Sequence, residues 1–128
     1  MIIHPRSASI GLIQLKKLDR MNNIRRKIAK KYHNKINSEK IMPYNESSSY
    51  HIYWICVKNR KKFMKKMFEN GIQTGIHYKP VHEMTLYKNK ISLPVTENIG
   101  KEIVSIPIHP NLSETDVEFI IKSINESL

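Results

Sequence analysis

The chain's 128 residues, 40% hydrophobic and 26% charged, suit one soluble domain with a single modest core, since domains commonly hold about 100–150 residues. Six prolines and four glycines exclude collagen-like or linker character, no apolar run approaches the ~20 residues of a membrane span, and MIIHPRSAS lacks the apolar stretch of a secretion signal, so a cytoplasmic location is expected. The formal net charge of +11 raises nucleic acid as a partner, but residues 1–66 carry 17 Lys/Arg against 3 Asp/Glu, whereas residues 67–128 carry 5 against 8.

Residues 8–36 place apolar side chains at Ile10, Ile13, Leu18, Met21, Ile24, Ile28, Tyr32 and Ile36, a spacing that predicts one amphipathic helix capped by Ser7 or Ser9. Its length would be roughly 43 Å at 1.5 Å per residue. A compact domain of this size has a radius of gyration of about 14 Å, so the helix should overhang its own core and expect a partner surface. Ser38 to Ser49, with Pro43, Asn45 and three consecutive serines, reads as a linker.

Tyr50–Lys58 (YHIYWICVK) is dense in aromatic and β-branched residues and reads as a strand with Cys56 inside. As the only cysteine, Cys56 has no disulfide or zinc partner, which fits a reducing compartment. Asn59 then caps a short helix whose inner face would be Phe63, Met64, Met67 and Phe68, ending at Asn70-Gly71 in a left-handed turn. Ile72–Tyr78 reads as a second strand, broken by Pro80, and the stretch to Leu93 as irregular with a turn near Thr85–Tyr87. A helical turn from Thr96 leads to a third strand, Glu102–Ile108. Ser113 with Asp116 forms a capping signature for a last helix whose stripe is Val117, Ile120, Ile121 and Ile124. The order predicts an α+β fold: a long N-terminal helix, then a small, mainly antiparallel sheet with helices on one face.

The chain has no GxGxxG, no GxxxxGK and no GxSxG, which removes the common phosphate loops and the nucleophile elbow. A thiol in a buried strand is inert, so Cys56 is not a nucleophile candidate. In HYKPVH, His77 and His82 could in principle offer two imidazoles to a metal, but no third ligand is near in sequence. The same segment reads either as a Pro-stiffened loop whose His, Tyr and Lys reach an anionic ligand, or as an ordinary solvated loop. The basic helix faces (Lys16, Lys17, Arg25, Arg26, Lys27, Lys30 and Lys31; Lys61, Lys62, Lys65 and Lys66) could grip phosphates. Without interleaved aromatics, a solvated face is the simpler account.

Four blocks carry a resemblance: IGLIQLKKLD (Ile10–Asp19) running into RRKIAKKYHNKI (Arg25–Ile36); YHIYWICVKNR (Tyr50–Arg60); NGIQTGIHYKPVHEMTLYK (Asn70–Lys88); and LPVTENIGKEIVSIPIHPNL (Leu93–Leu112) with SETDVEFIIKSI behind it. In that order they resemble the C-terminal part of the DegT/StrS group of pyridoxal-phosphate-dependent nucleotide-sugar aminotransferases. The resemblance implies the small domain of a fold-type-I aminotransferase, with the long helix joining it to a large cofactor domain. It implies transfer of an amino group, usually from glutamate, to a keto sugar nucleotide, in surface-polysaccharide or antibiotic-sugar synthesis, by a homodimer.

The family's cofactor lysine lies in the large domain, and none of the chain's 17 lysines falls in its motif, so no catalytic residue is nominated. By resemblance His77 and Tyr78, with His82 as a third member, are the substrate-binding candidates at the active-site mouth. The family's cofactor-phosphate residue precedes the long helix. Arg6 stands nearest to it, although His4-Pro5-Arg6 sits too close to Ile10-Gly11 to align without a deletion. The expectation is a fragment or split-gene piece, inactive without the missing large domain or a separate chain that carries it. The alternative is a non-catalytic remnant that binds anionic partners, nucleic acid included, or a truncation with no function of its own.

Overall fold

The computed structural model describes residues 4–87 and 91–128, so Lys88, at the end of the third block, lies outside the described residues. The elements are α1 (Pro5–Lys35), β1 (Tyr53–Cys56), α2 (Arg60–Glu69), a 3-10 turn (Val81–Glu83), α3 (Pro94–Glu102), β2 (Ile103–Ile106) and α4 (Glu114–Asn125). The strands β1 and β2 pair antiparallel, with Tyr53 opposite Ile106 and Cys56 opposite Ile103. This is the expected α+β class with a small antiparallel sheet. Among the described residues no helix is long and apolar enough to cross a membrane.

Helix α1 begins at Pro5 rather than residue 8, and neither Ser7 nor Ser9 caps it. His4 does so instead, Nδ1 accepting from the Arg6 N–H at 3.3 Å. Proline at the first helical position supplies a preset φ and has no N–H to satisfy, which moves the start forward. The apolar stripe divides in two. Ile28, Ala29, Tyr32 and Ile36 are buried, whereas Ile10, Leu12, Ile13 and Leu15 are 54–65% exposed, so the first half of the helix stands clear of the core.

The stretch 38–49 contains no regular element, yet it is not free of the sheet. The Met42 N–H donates to the Trp54 carbonyl (2.9 Å) and the Cys56 N–H to the Lys40 carbonyl (2.8 Å), which lays residues 40–42 along β1. Beyond it, Tyr50 stacks on Tyr44 and approaches Tyr53, and Tyr53 meets Tyr32 edge to face with centroids 5.3 Å apart. This chain of rings joins the linker, the sheet and α1.

Further sequence expectations are corrected. The first strand is only Tyr53–Cys56, and Cys56 is half-buried rather than inside, since it points to the face opposite Tyr53 and Ile55. In α2, Asn59 caps as expected (Lys62 N–H to Oδ1, 3.2 Å) and Phe63 and Met67 are buried, but Phe68 is 77% exposed because it lies about 140° around the helix from Phe63. Ile72–Tyr78 forms no strand. It contributes one bridge, Gly75 paired with Ser105 through bonds of 3.0 and 2.8 Å, before the chain leaves the sheet. The turn expected at Thr96 is the nine-residue helix α3, started by Pro94, and β2 runs Ile103–Ile106 rather than Glu102–Ile108. Gly71 does adopt the left-handed conformation (φ +73°), and residues 85–87 do form a turn.

Helix α4 matches its sequence signals throughout. The Ser113 hydroxyl accepts from the Asp116 N–H (3.1 Å), the Asp116 carboxylate accepts from the Ser113 N–H (2.9 Å), and Val117, Ile120, Ile121 and Ile124 are buried. The helix also holds the end of α1. Asn125 donates to the Lys35 carbonyl and accepts from the Asn37 N–H, both at 2.9 Å, and Lys31 and Lys35 pair with Glu114 and Glu118. Tyr32 completes the junction by donating to the Pro107 carbonyl at 2.7 Å.

In urea unfolding, Tyr32→Phe should lower stability by about 1–2 kcal/mol because it removes the bond to the half-buried Pro107 carbonyl. Ile124→Ala should cost about 3 kcal/mol through its cavity, and Ile13→Ala less than about 0.5 kcal/mol. Hydrogen bonds from the Ser113 hydroxyl and then its N–H hold the Asp116 carboxyl below the usual range. A depressed carboxylate stabilises the fold above its unfolded pKa, and that contribution is lost as pH falls through the folded value. Ser113→Ala should therefore flatten the decline of the urea midpoint in acid, below about pH 4.

Candidate functional site

The end of β2, the segment after α2 and the outer face of α4 enclose a groove of about 600 Å³. Its apolar wall includes Ile72, Pro107, Leu112 and Phe119, and its polar edge includes His77, His109, Gln73, Thr74 and Asp116. The geometry follows from the Gly75–Ser105 bridge, which pulls the segment 71–75 alongside β2 and leaves His77 at the rim. The His77 ring folds back on Gly75 so closely that a Cβ at residue 75 would lie 2.7 Å from its Cε1. A side chain at residue 75 would therefore turn the His77 ring away from this position. Ser105, on the same groove, is buried, and among the described residues its hydroxyl has no hydrogen-bond partner.

The three substrate candidates are not brought together. His77 lines the groove. Tyr78 lies next to it with ring centroids 5.0 Å apart, but it is 70% exposed and outside the lining. His82 is directed to α3, where its Nε2 lies 3.3 Å from the Glu97 carboxylate. Arg6 lies in the exposed first turn of α1 and does not line the groove. The residue that sequence reading missed is His109, the second groove imidazole. Its only sequence signal is its position just past a strand end, where ligand-facing side chains concentrate.

Among the described residues no three His, Cys, Asp or Glu side chains converge on a common point, and His82 is held by Glu97 rather than aimed at His77. The groove also does not fit the cofactor that the resemblance implies. Its lining contains no lysine to form an imine with an aldehyde, and its one carboxylate, Asp116, is bonded to Ser113. Three lysines of the basic half, Lys31, Lys35 and Lys40, lie within salt-bridge distance of Glu114, Glu118 and Glu102, which pairs part of that charge on the surface of the fold.

A second groove, of about 520 Å³, runs past Cys56 between Lys40, Lys58, Lys62 and Glu102. Burial, and then the charge of Glu102, push the Cys56 thiol up, against a smaller opposite effect of Lys40. A raised thiol is the reverse of what a nucleophile requires.

A model of the DegT/DnrJ/EryC1/StrS aminotransferase family matches residues 3–125. A dTDP-3-amino-3,6-dideoxy-alpha-D-galactopyranose transaminase of Aneurinibacillus thermoaerophilus is 34% identical over 125 residues, covering 92% of this chain and 34% of that protein. A dTDP-4-dehydro-2,3,6-trideoxy-D-glucose 4-aminotransferase of Saccharopolyspora spinosa is 27% identical over 130 residues, covering 95% and 34%. Among solved structures, the aminotransferase TlmJ from Streptoalloteichus hindustanus superposes with a TM-score of 0.86 at 29% identity, over 94% of this chain and 35% of that one. The chain spans about a third of the length of the relatives it matches.

Cys56 should react with iodoacetamide more slowly at neutral pH than a free thiol, with a rate that keeps rising above the ordinary thiol pKa of about 8.5. Labelling followed by intact mass across pH 7–10 checks this.

Proposed function

The chain belongs to the DegT/DnrJ/EryC1/StrS aminotransferase family, and from that premise we propose that it is the small-domain third of a pyridoxal-phosphate-dependent aminotransferase acting on a keto sugar nucleotide. The observation that carries the proposal is the divided stripe of α1. From Ile28 onward the helix is covered by this chain's own core, whereas Ile10, Leu12, Ile13, Leu15 and Leu18 are exposed among the described residues. That face suits the large domain, which would also bring the imine lysine and the acidic partner that the groove lacks. Whether the large domain belongs to the same polypeptide or to a second one, these residues transaminate only in its company, within a homodimer.

In that assembly this chain's own contribution is to bind and orient. His77 at the groove rim donates a hydrogen bond to an anionic or hydroxylated part of the substrate, and the adjacent Tyr78 ring offers a flat apolar surface with a hydroxyl at its edge. Both leave the amino-transfer step to groups outside these residues. Arg6, in the first turn of the uncovered helix half, is positioned to meet the large domain rather than the groove.

The test is the near-visible absorption of the protein purified gently from its native source, before and after borohydride, with intact masses of everything that co-purifies. A yellow complex is expected, its reduced cofactor mass lying outside these 128 residues. In that complex His77→Ala should raise the KM for the sugar nucleotide about tenfold, the loss of roughly one charge-assisted hydrogen bond, with a smaller change in kcat. A colourless, monodisperse monomer that ignores a co-expressed large domain would sink the proposal.

A further inference from the structure

The residues between Ile76 and Pro80, which carry His77 and Tyr78, belong to no helix or strand, so their position is set from outside. Upstream they are fixed by the Gly75–Ser105 bridge. Downstream they run onto α3 through two contacts one helical turn apart. Pro80 is buried against Gly100, where a Cβ would lie 2.6 Å from the proline Cγ and 2.8 Å from its Cδ. Two residues on, His82 bonds Glu97 at 3.3 Å, inside the 3-10 turn that closes through the Glu83 N–H and the Pro80 carbonyl (3.0 Å).

Glu97 is itself fixed, because the same oxygen accepts from the Leu93 N–H at 2.8 Å at the start of the helix. These two bonds, the backbone one foremost, hold its carboxyl below the usual range, so it is ionised at neutral pH. The far end of α3 is tied down as well, since Arg60 donates to the Gly100 carbonyl (2.5 Å) and reaches the Ile103 carbonyl (3.5 Å).

We propose that Glu97 and Gly100 of α3 are positioning residues that hold the 76–82 loop in place, Glu97 through His82 and Gly100 through Pro80, and so set where His77 and Tyr78 stand. The consequence for substrate rests on the proposed aminotransferase role, whereas the loop geometry does not. His82 is then an anchor and not a substrate contact.

Three variants of the intact chain test it: Glu97→Ala, which removes both bonds; Glu97→Gln, which keeps an oxygen to accept them; and Gly100→Ala, which favours the helix but drives a methyl into Pro80. Expected are a shifted His77 imidazole resonance and amide exchange at Glu83 and Met84, whose N–H groups close the 3-10 turn, faster by about tenfold in Glu97→Ala and Gly100→Ala, with near-native values in Glu97→Gln and unchanged protection at Ile120 and Ile121. Within an active complex the two Ala variants should raise the sugar-nucleotide KM several-fold while kcat holds, and Glu97→Gln should restore it. An unmoved His77 resonance with unchanged loop exchange overturns the proposal, as does a loosened loop with unchanged KM. A wild-type complex with no transaminase activity counts against the proposed function alone, and the loop measurements still decide the positioning role.

Discussion

A two-stranded ribbon of four residues per strand cannot hold its own shape in water, so everything in this molecule depends on the junction at which α1 and α4 cover it. Tyr32 is the centre of that junction. Its ring stands edge-on to Tyr53 of β1, and its hydroxyl bonds the carbonyl of Pro107 just past β2, so one side chain of the long helix touches both strands at the end of the ribbon where Tyr53 pairs with Ile106. Burial, and secondarily the neighbouring tyrosines, push the Tyr32 and Tyr53 phenols well above their ordinary value, which keeps both neutral hydrogen-bond donors. Asn125 then bonds the Lys35 carbonyl at the end of α1 and the Asn37 N–H just beyond it. The second half of the helix is fixed by these contacts, and the first half projects as a cantilever whose direction the core has already chosen.

The strong positive charge is shaped by the same junction. Lysines 31 and 35 on α1 face glutamates 114 and 118 on α4. Pairs this exposed contribute little to stability, typically under about 1 kcal/mol each. Their effect is on choice, because the acidic first turn of α4 meets the basic last turns of α1 in one orientation and like charges would meet in the reverse one. On the cantilever, Lys16, Lys17 and Arg20, which form no ion pair among the described residues, stand among Ile10, Leu12, Leu15 and Leu18 as the basic border of an apolar stripe.

Legibility followed the number of independent local signals per segment. Helix α4 was read correctly because cap, capping partner and four-residue stripe all lie within twelve residues and agree. The long helix was clear in its period but not in its start, since a histidine side chain outcompeted two nearby serines once Pro5 had fixed the first turn. Ile72–Tyr78 has strand composition yet makes a single bridge. Strand formation depends on the partner's available edge and on the space at Gly75, neither of which composition records. Phe68 is apolar enough to suggest the core, yet its angle on the helix points it outward. The groove itself was only half legible: His77 stands in a motif, but His109 comes from a different block and meets it through a backbone bridge thirty residues away in sequence.

The two histidines of HYKPVH illustrate why a motif's residue types do not assign its roles. Four residues separate them, and the buried Pro80 between them rests on Gly100 and turns the chain from the sheet edge toward α3. One imidazole is left at a groove rim beside an exposed tyrosine, free to meet a ligand. The other is directed to a carboxylate that a backbone amide already holds, which suits an anchor and spoils a metal ligand, since a metal would have to displace a charge-assisted bond and find its further donors elsewhere. The same divergence separates two parts of the segment, a short one that faces outward and a longer one that fixes it. The chemistry open to the outward part is therefore set as much by α3, which never reaches the groove, as by the side chains in it.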